Sequence, residues 1–530
     1  MRRIFGLLII ICIAVNLIGC SNADPIFYKQ SNSQIKEEEI SYSVEQVLLS
    51  QSFQSVDPKV EVIKKGLSTK LILSLGLFQS SGVQISKIVK VGSELNIYLQ
   101  NQSNEELSAL VIPQVIIDLK GFSFSKMEDV QFNLINENYK PIKLKFGINE
   151  AINKIDSEFK IISNTSPTTN LLSQDGKVLW EITYNSVFDK DNPEAPLANL
   201  SVSMDSNSGD IISTRKSFIS SLIDEGIILD YVTNKYILYS KLDRDLESNV
   251  IKENLWYFDI ENNQKSLLYS SNMKITKALF SPDLEHIAVL ETGETNNSLY
   301  IIPKENKKAY KLLFEQDLAP SIIFWKDPNS LYIVDNSSNE FSNIYEQDIK
   351  ENITSLIVNS KKNITGLRIE KELFMITEED KEKLNFKISV TKDWKSFRLI
   401  DEGCCPKFIN ESTIAYLKNI DKENKKELNI YDLDSKDKYD ILELNISNYY
   451  IQPDGNIIIL ENNPSNNEFT VMLYDTNEKS TTFITKTNSD RVYYNSEKNL
   501  IYVYLQIPFE SDKTDLIYSI DLSKMTNLEP

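Results

Sequence analysis

From about residue 217 to the end, short apolar runs alternate with polar turns, and the pattern keeps returning. Leu279–Glu291, LFSPDLEHIAVLE, shows the unit: a short apolar strand, a polar turn, then a second apolar strand that starts near Ile or Leu. Aligned second-strand starts fall at Ile237, Ile287, Leu331, Leu373, Ile414, Ile457 and Ile501, spaced 50, 44, 42, 41, 43 and 44 residues apart. Runs this short, bounded by turn residues, predict strands rather than helices. A period in the low forties built from strands predicts propeller blades rather than a helical solenoid. Third strands closing on Asp align at Leu255–Asp259, Leu428–Asp432, Val471–Asp475 and, with one extra residue, Leu516–Asp521; Ile344–Asp348 fits loosely. Polar turns then lead to fourth strands such as Tyr310–Phe314 and Thr354–Val358. The expectation for 217–530 is a seven-bladed β-propeller.

The last unit has three strands, and only Met525–Pro530 follows them. Ser217–Ile223, SFISSLI, is a spare strand ahead of the first unit. Pairing it onto the last blade would close the ring and remove an exposed edge; the alternative is a strand of the preceding domain.

Ahead of the repeats the pattern changes. Over 58–145, Val60–Leu77 has spacing for a helix interrupted by Gly66 and Gly76, followed by strands at Val83–Val91, Glu94–Leu99 and Leu110–Leu119. Pro113 in the last of these argues for an edge strand or a strand start. A small α+β or β-rich domain is expected. Over 146–216, Ile148, Ala151, Ile152 and Ile155 lie on one helical face, with Asn149 as a candidate cap. Strands follow at Lys177–Tyr184 and Leu200–Asp205, and a turn at Ser208-Gly209-Asp210 leads into Ile211–Ser213. The fold class expected overall is mainly β, with small α+β domains preceding the propeller.

The first 19 residues read differently again. Arg2 and Arg3 precede an almost unbroken apolar run, Ile4–Leu17, and Leu17-Ile18-Gly19-Cys20 follows. The run is short for a membrane span, which needs about 20 residues, and a cysteine stands at the cleavage position. This resembles a bacterial lipoprotein signal peptide, which implies removal of 1–19 and a diacylated, palmitate-bearing Cys20 as mature N-terminus. The Arg-Arg-Ile-Phe start touches the twin-arginine pattern, but the very apolar core and the lack of a preceding Ser or Thr fit Sec export. Two or three acyl chains anchor firmly, at about 0.8 kcal/mol per buried methylene. The implied location is the extracytoplasmic face of the cell membrane. Residues 20–57 are then a polar tether, with only Tyr42–Phe53 spaced for a short helix.

Two further resemblances carry fold. A helix, a Trp-bearing strand (Trp180) and a closing Asp205-x-x-x-Gly209-x-Ile211 hairpin are similar to a PepSY domain, a small module found beside secreted peptidases and proposed to inhibit or bind; this implies turn-forming roles for Asp205 and Gly209. Phe280-Ser281-Pro282-Asp283 and Gln452-Pro453-Asp454-Gly455 resemble the S-P-D-G turn of TolB-like and dipeptidyl-peptidase-type propellers, which joins the first two strands of a blade and is structural. The α/β-hydrolase domain of those peptidases has no counterpart in the sequence.

Composition alters the picture little: 41% hydrophobic and 25% charged residues are globular values. Charge matters more. The formal net charge of −19, or −21 without Arg2 and Arg3, argues against nucleic acid and against docking on anionic lipid or wall polymers. Cys404 and Cys405 are the only cysteines beyond Cys20, and they are either a vicinal disulfide or two reduced thiols. With one histidine, His286, and no other cysteine, no metal site or Ser-His-Asp set is expected. Asp189, Asp191, Asn192 and Glu194 crowd one loop, but without the calcium-loop Gly and Glu spacing they read as a solvated acidic loop. Trp256, Trp325 and Trp394 are expected in blade packing. No catalytic or cofactor-binding residue is assigned. The function expected is a non-enzymatic lipoprotein whose propeller binds an extracytoplasmic protein, peptide or glycan. The alternatives are an envelope hydrolase or lyase with carboxylates in the propeller funnel, and a peptidase regulator acting through 146–216.

Overall fold

The computed structural model describes residues 37–526, apart from 54–55, 66–67, 103–108, 121–129, 164, 245–250, 294–296, 315–317, 338–340, 361, 381–384, 420–424, 464–467, 488, 506 and 508–514. The chain forms two compact units, Met1–Lys143 and Leu144–Pro530.

The first unit is built of strands; among its described residues there is no helix. One sheet orders Glu37–Glu39, Gly82–Val91, Glu94–Gln102 and Gln131–Asn136. The other orders Tyr42–Ser50, Ala109–Leu119, Ser68–Ser74 and Lys59–Lys65, with Phe78–Ser80 also pairing on Ala109–Leu119. Leu71, Leu73, Ile88, Ile97, Val115 and Ile117 share its core. Where helices were expected, within Val60–Leu77 and Tyr42–Phe53, the described residues form the strands Lys59–Lys65, Ser68–Ser74 and Tyr42–Ser50. In KVEVIKK the period-two alternation puts Val60 and Val62 against that core, and this outweighs the helical spacing. Residues from Glu37 onward belong to this unit rather than to a tether running to 57. Pro113 lies inside a strand with partners on both sides, where neither an edge nor a strand start was the outcome. It sits where Ser68–Ser74 ends, opposite Gln114, and before Phe78 pairs with Val111. Its missing N–H thus falls at a gap in the ladder.

The second unit opens with the helix Ile148–Phe159 and a four-stranded antiparallel sheet, Thr168–Gln174, Lys177–Phe188, Leu197–Asp205 and Ile211–Phe218 in sequential order. Gly147 rather than Asn149 is the N-cap; the Glu150 carboxylate accepts the Gly147 N–H at 2.7 Å. Ala151 and Ile155 are buried, the Trp180 Nε1–H donates to the Phe146 carbonyl (2.8 Å), and the Tyr184 hydroxyl donates to Asp156 (2.5 Å). Asp205 caps the hairpin by accepting the Asn207 and Ser208 N–H groups, and Gly209 takes φ +77°. Thr168–Gln174 is a strand that the sequence pattern did not disclose.

Seven four-stranded antiparallel sheets follow, and together they form a β-propeller. The first blade is Ile227–Val232, Tyr236–Arg244, Ile251–Asp259 and Gln264–Ser271, running from inner to outer strand. All seven aligned Ile or Leu positions lie at the start of a second strand. Asp259, Asp348, Asp432 and Asp475 close third strands because each carboxylate accepts backbone N–H groups two or three residues on, at 2.7–2.9 Å, which makes the turn to the fourth strand.

The ring closes through the N-terminal side of the array. Ser220–Glu225 pairs antiparallel with Leu516–Asp521 as the outer strand of the seventh blade. The expected strand 217–223 is in fact divided: Ser217 and Phe218 end the preceding sheet, and only Ile219 separates the two strands. Ile219 is buried; its N–H donates to Leu197 and its carbonyl accepts from Asp521. Phe188, Leu197 and Ile219 share one core with Ile458, Ile501 and Ile520. The junction at 216/217 is continuous packing rather than a linker.

A second constraint occurs twice. Ile223-Asp-Glu-Gly226 and Ile400-Asp-Glu-Gly403 each lead from an outer strand into the next inner strand. Asp224 accepts the Tyr239 hydroxyl (2.7 Å) and pairs with Lys241 (3.2 Å) and Lys265 (3.4 Å). Asp401 accepts the Tyr416 hydroxyl (2.7 Å) and pairs with Lys418 (3.3 Å) and Lys438 (2.9 Å). Each aspartate ties one blade to the next. Gly226, at φ +145°, is required because a Cβ there would land on the Ser240 carbonyl.

Burial alone would raise the Asp401 carboxyl; the Tyr416 hydroxyl, Lys438 and the Glu402 N–H outweigh it and hold the group at about 2. Its stabilising contribution is present above the unfolded value of about 3.9 and is lost as pH falls through about 2. Asp401→Asn is expected to cost about 1–3 kcal/mol near neutral pH. The gap in urea midpoint between wild type and variant should then narrow as pH falls from about 4 to 2; a gap independent of pH would refute the clamp.

Candidate functional site: the propeller channel

The inner strands are not regular. Six of them carry a β-bulge at the same place, where they pair with the second strand: between Ile228 and Asp230, Ile275 and Lys277, Pro320 and Ile322, Ile364 and Gly366, Cys404 and Lys407, and Ile446 and Asn448. A bulge leaves one second-strand carbonyl short of a ladder partner and re-aims the side chains that follow. Three bulge hydroxyls make up the loss: Thr276 donates to the Leu290 carbonyl (3.2 Å), Ser321 to Val334 (3.0 Å) and Thr365 to Thr377 (3.3 Å). Ile228, Ile275, Ile364 and Ile446, just before the bulge, are almost fully buried and anchor the strand.

The re-aimed positions line a cavity of about 700 Å³ to which all seven inner strands or their flanks contribute. Four cations reach it, Lys277, Arg368, Lys407 and Arg491, against two carboxylates, Asp230 and Asp490. Tyr450, Tyr493 and Phe324 add aromatic surface, and Leu229, Leu279 and Ile322 add apolar surface. Inside a protein of net charge −19, this cavity is net positive.

Each polar group is held differently. Lys407 donates to Asn448 Oδ1 (2.8 Å) and the Tyr449 carbonyl (2.5 Å), and lies 4.1 Å from the Tyr450 ring centre. Burial, with Arg368 nearby, pushes its ammonium down to about 7, while these acceptors and ring faces favour the charged form. Arg368 donates to the Leu367 carbonyl (2.9 Å) and Arg491 to the Ile228 carbonyl (3.1 Å), so both guanidiniums keep further donors free of these bonds. Burial pushes the Asp230 carboxyl up to about 6, even though its two oxygens accept the Phe280 N–H (3.0 Å) and the Tyr231 N–H (2.9 Å).

Cys404 and Cys405 stand on the cavity wall as free thiols. Cys405 is exposed and adopts φ +54° within the bulge. A hydrogen bond from Cys404, helped by Lys426 and Lys407, lowers the Cys405 thiol; the same contact and burial raise Cys404. The pair is therefore chemically unequal.

The other candidates lie elsewhere. His286 starts the second strand of its blade; its N–H donates to Ser281 Oγ (2.9 Å), whose hydroxyl donates to Asp283 (2.5 Å), the turn-forming role expected of Ser281-Pro282-Asp283. Trp325 is buried in blade packing and donates to the Leu279 carbonyl (3.1 Å). In the acidic loop, Asp189 pairs with Lys216 at 2.5 Å and accepts the Asp191 N–H. Among the described residues no group of three or more His, Cys, Asp or Glu is placed to hold a metal ion. Cys20 lies outside the described residues. The sequence reading did not single out the channel cations. A faint signal exists, an Ile followed by Thr or Ser at 275–276, 364–365 and 446–447, but nothing local says that the next residue turns inward.

No family model matches this chain, and no curated protein matches it. Among solved structures it is similar to an oligogalacturonate lyase from Vibrio parahaemolyticus, at 12% identity and TM-score 0.45, over 61% of this chain and 96% of that one. It is also similar to TolB from Acinetobacter baumannii, at 12% identity and TM-score 0.35, over 66% and 86%. A third is dipeptidyl peptidase 4 from Porphyromonas gingivalis, at 11% identity and TM-score 0.37, over 69% and 58%. These likenesses concern the propeller fold and carry no argument about activity.

The unequal thiols give a direct measurement. Brief treatment with iodoacetamide at pH 7 should label Cys405 first and add one carbamidomethyl group by mass, and Cys405→Ser should suppress that fast addition. Equal labelling of both cysteines, or Cys404 first, would contradict the assignment.

Proposed function

We propose that this is a lipid-anchored extracytoplasmic protein, a binder rather than an enzyme, that holds a protein, peptide or glycan ligand in the propeller channel. The observation that carries the reading is the convergence of charged and aromatic side chains from all seven blades on one cavity, with the same bulge in six of the inner strands. A packed propeller needs no such convergence, and unsatisfied polar groups beside a cavity are costly unless a ligand or water uses them. Anchoring rests on the lipobox-like Leu17–Cys20; among the described residues no helix is long and apolar enough to cross a membrane.

A hydrolase or lyase is the second reading, favoured by the raised Asp230 carboxyl and by Asp490 in the same cavity. Against it, both Asp230 oxygens are engaged by backbone N–H groups, and the one to Phe280 ties the first blade to the second. That is a structural task for the carboxylate that general-acid chemistry would most need.

Two experiments test the proposal. Cys20→Ala should move the protein from the membrane fraction to the soluble extracytoplasmic fraction, and unchanged membrane retention would remove the anchor. A photo-crosslinking residue at Thr365 or Ser447, in the channel, should capture a ligand adduct in intact cells that the same residue at the exposed outer-strand Thr481 does not. The same adduct from both positions would move binding away from the channel.

A further inference from the structure

Lys277, Arg368 and Arg491 come from three different blades and line one channel, where Asp230 and Asp490 are the carboxylates present. After burial, each guanidinium pushes the Lys277 ammonium down, so Lys277 lies within electrostatic reach of both. Among the described residues none of them is ion-paired to a carboxylate. Asp230, the carboxylate shared by this wall, has its oxygens committed to backbone N–H groups. Three like charges held together in a partly dry cavity are destabilising unless something neutralises them. The protein is far from short of carboxylates, with 76 Asp and Glu against 57 Lys and Arg. An unpaired cationic cluster is therefore a local departure from the rest of the molecule, and such departures mark functional sites.

We propose that the centre of the channel is an oxyanion site, taking a ligand through a carboxylate or phosphate group held between Lys277 and the guanidiniums of Arg368 and Arg491. A guanidinium presents a planar fork that matches either head group with two parallel hydrogen bonds, and the ammonium adds a third donor with point charge. Tyr450 and Tyr493 stand in the same cavity as flat faces for the body of the ligand. The negative exterior screens the site against extended polyanions, which would be repelled before reaching it, so a compact anionic group delivered into the channel is what the field selects. This rests on the channel-binding reading above and adds the chemistry of the ligand.

The test is thermal unfolding of the purified full-length lipoprotein in detergent, with citrate and tripolyphosphate as carboxylate and phosphate probes and sodium chloride at matched ionic strength as control. Wild type should show a concentration-dependent rise in Tm with at least one probe and not with chloride; the probe that works identifies the head group. Arg368→Gln should weaken that response at least tenfold. Lys277→Met should also lose it while raising the Tm of the unliganded protein, because a like charge has been removed; a variant that merely misfolds would show the opposite sign. A response equal to that of chloride, or unchanged in Arg368→Gln, overturns the proposal. If the probes fail while the channel crosslink persists, only the anionic assignment falls. If the crosslink itself is lost, the channel reading falls with it.

Discussion

An antiparallel ladder between Ser220–Glu225 and Leu516–Asp521 turns a row of seven sheets into a ring. Without it the third strand of the last blade would end in unpaired backbone groups, an edge open to other chains. The ladder also fixes what lies ahead of the propeller. Only Ile219 separates the closing strand from the helix-and-sheet segment, whose Phe188 and Leu197 share a core with the seventh blade. The Ser186 hydroxyl reaches the Ile484 carbonyl (2.8 Å) and the Tyr518 hydroxyl reaches the Pro193 carbonyl (3.1 Å). Opening the ring would therefore strip buried surface from both parts together.

Closure has a consequence inside. Once seven inner strands are held around an axis, each bulge points the residues after it toward a common space. The bulge hydroxyls make this tolerable, because Thr276, Ser321 and Thr365 each supply a hydrogen bond to a carbonyl that the ladder has left short. The result is a cavity in which Asp230, Lys277, Arg368 and Lys407 sit on inner strands, while Asp490 and Arg491 stand just ahead of the seventh inner strand. The two aspartate clamps, at Asp224 and Asp401, hold the joints between the seventh and first blades and between the fourth and fifth. Charge is sorted by the same geometry: carboxylates dominate the protein as a whole, while cations outnumber them in the channel.

Blade number and blade boundaries were open to sequence reading, because each blade repeats a local pattern of apolar runs, polar turns and a closing Asp whose carboxylate builds the turn beside it. The Asp205–Gly209 hairpin and the Ser281-Pro282-Asp283 turn are legible for the same reason: cause and effect lie within five residues. Val60–Leu77 was misread because lysines and glycines blur a two-residue alternation until a partner strand selects it. Pro113 misled because its missing N–H falls at a gap between two partner strands, and only their register reveals the gap.

The candidate site belongs to the other category. Lys277, Arg368 and Arg491 are 91 and 123 residues apart in order along the chain, and no local pattern relates them. Their meeting depends on ring closure and, for Lys277 and Arg368, on a bulge that inverts the usual alternation of inward and outward side chains. Local hydrogen bonding and apolar periodicity are written into neighbouring residues, so the sequence alone determined strands, turns and their count. Convergence around an axis is a property of the assembled ring, so only the tertiary structure decided which charges face one another.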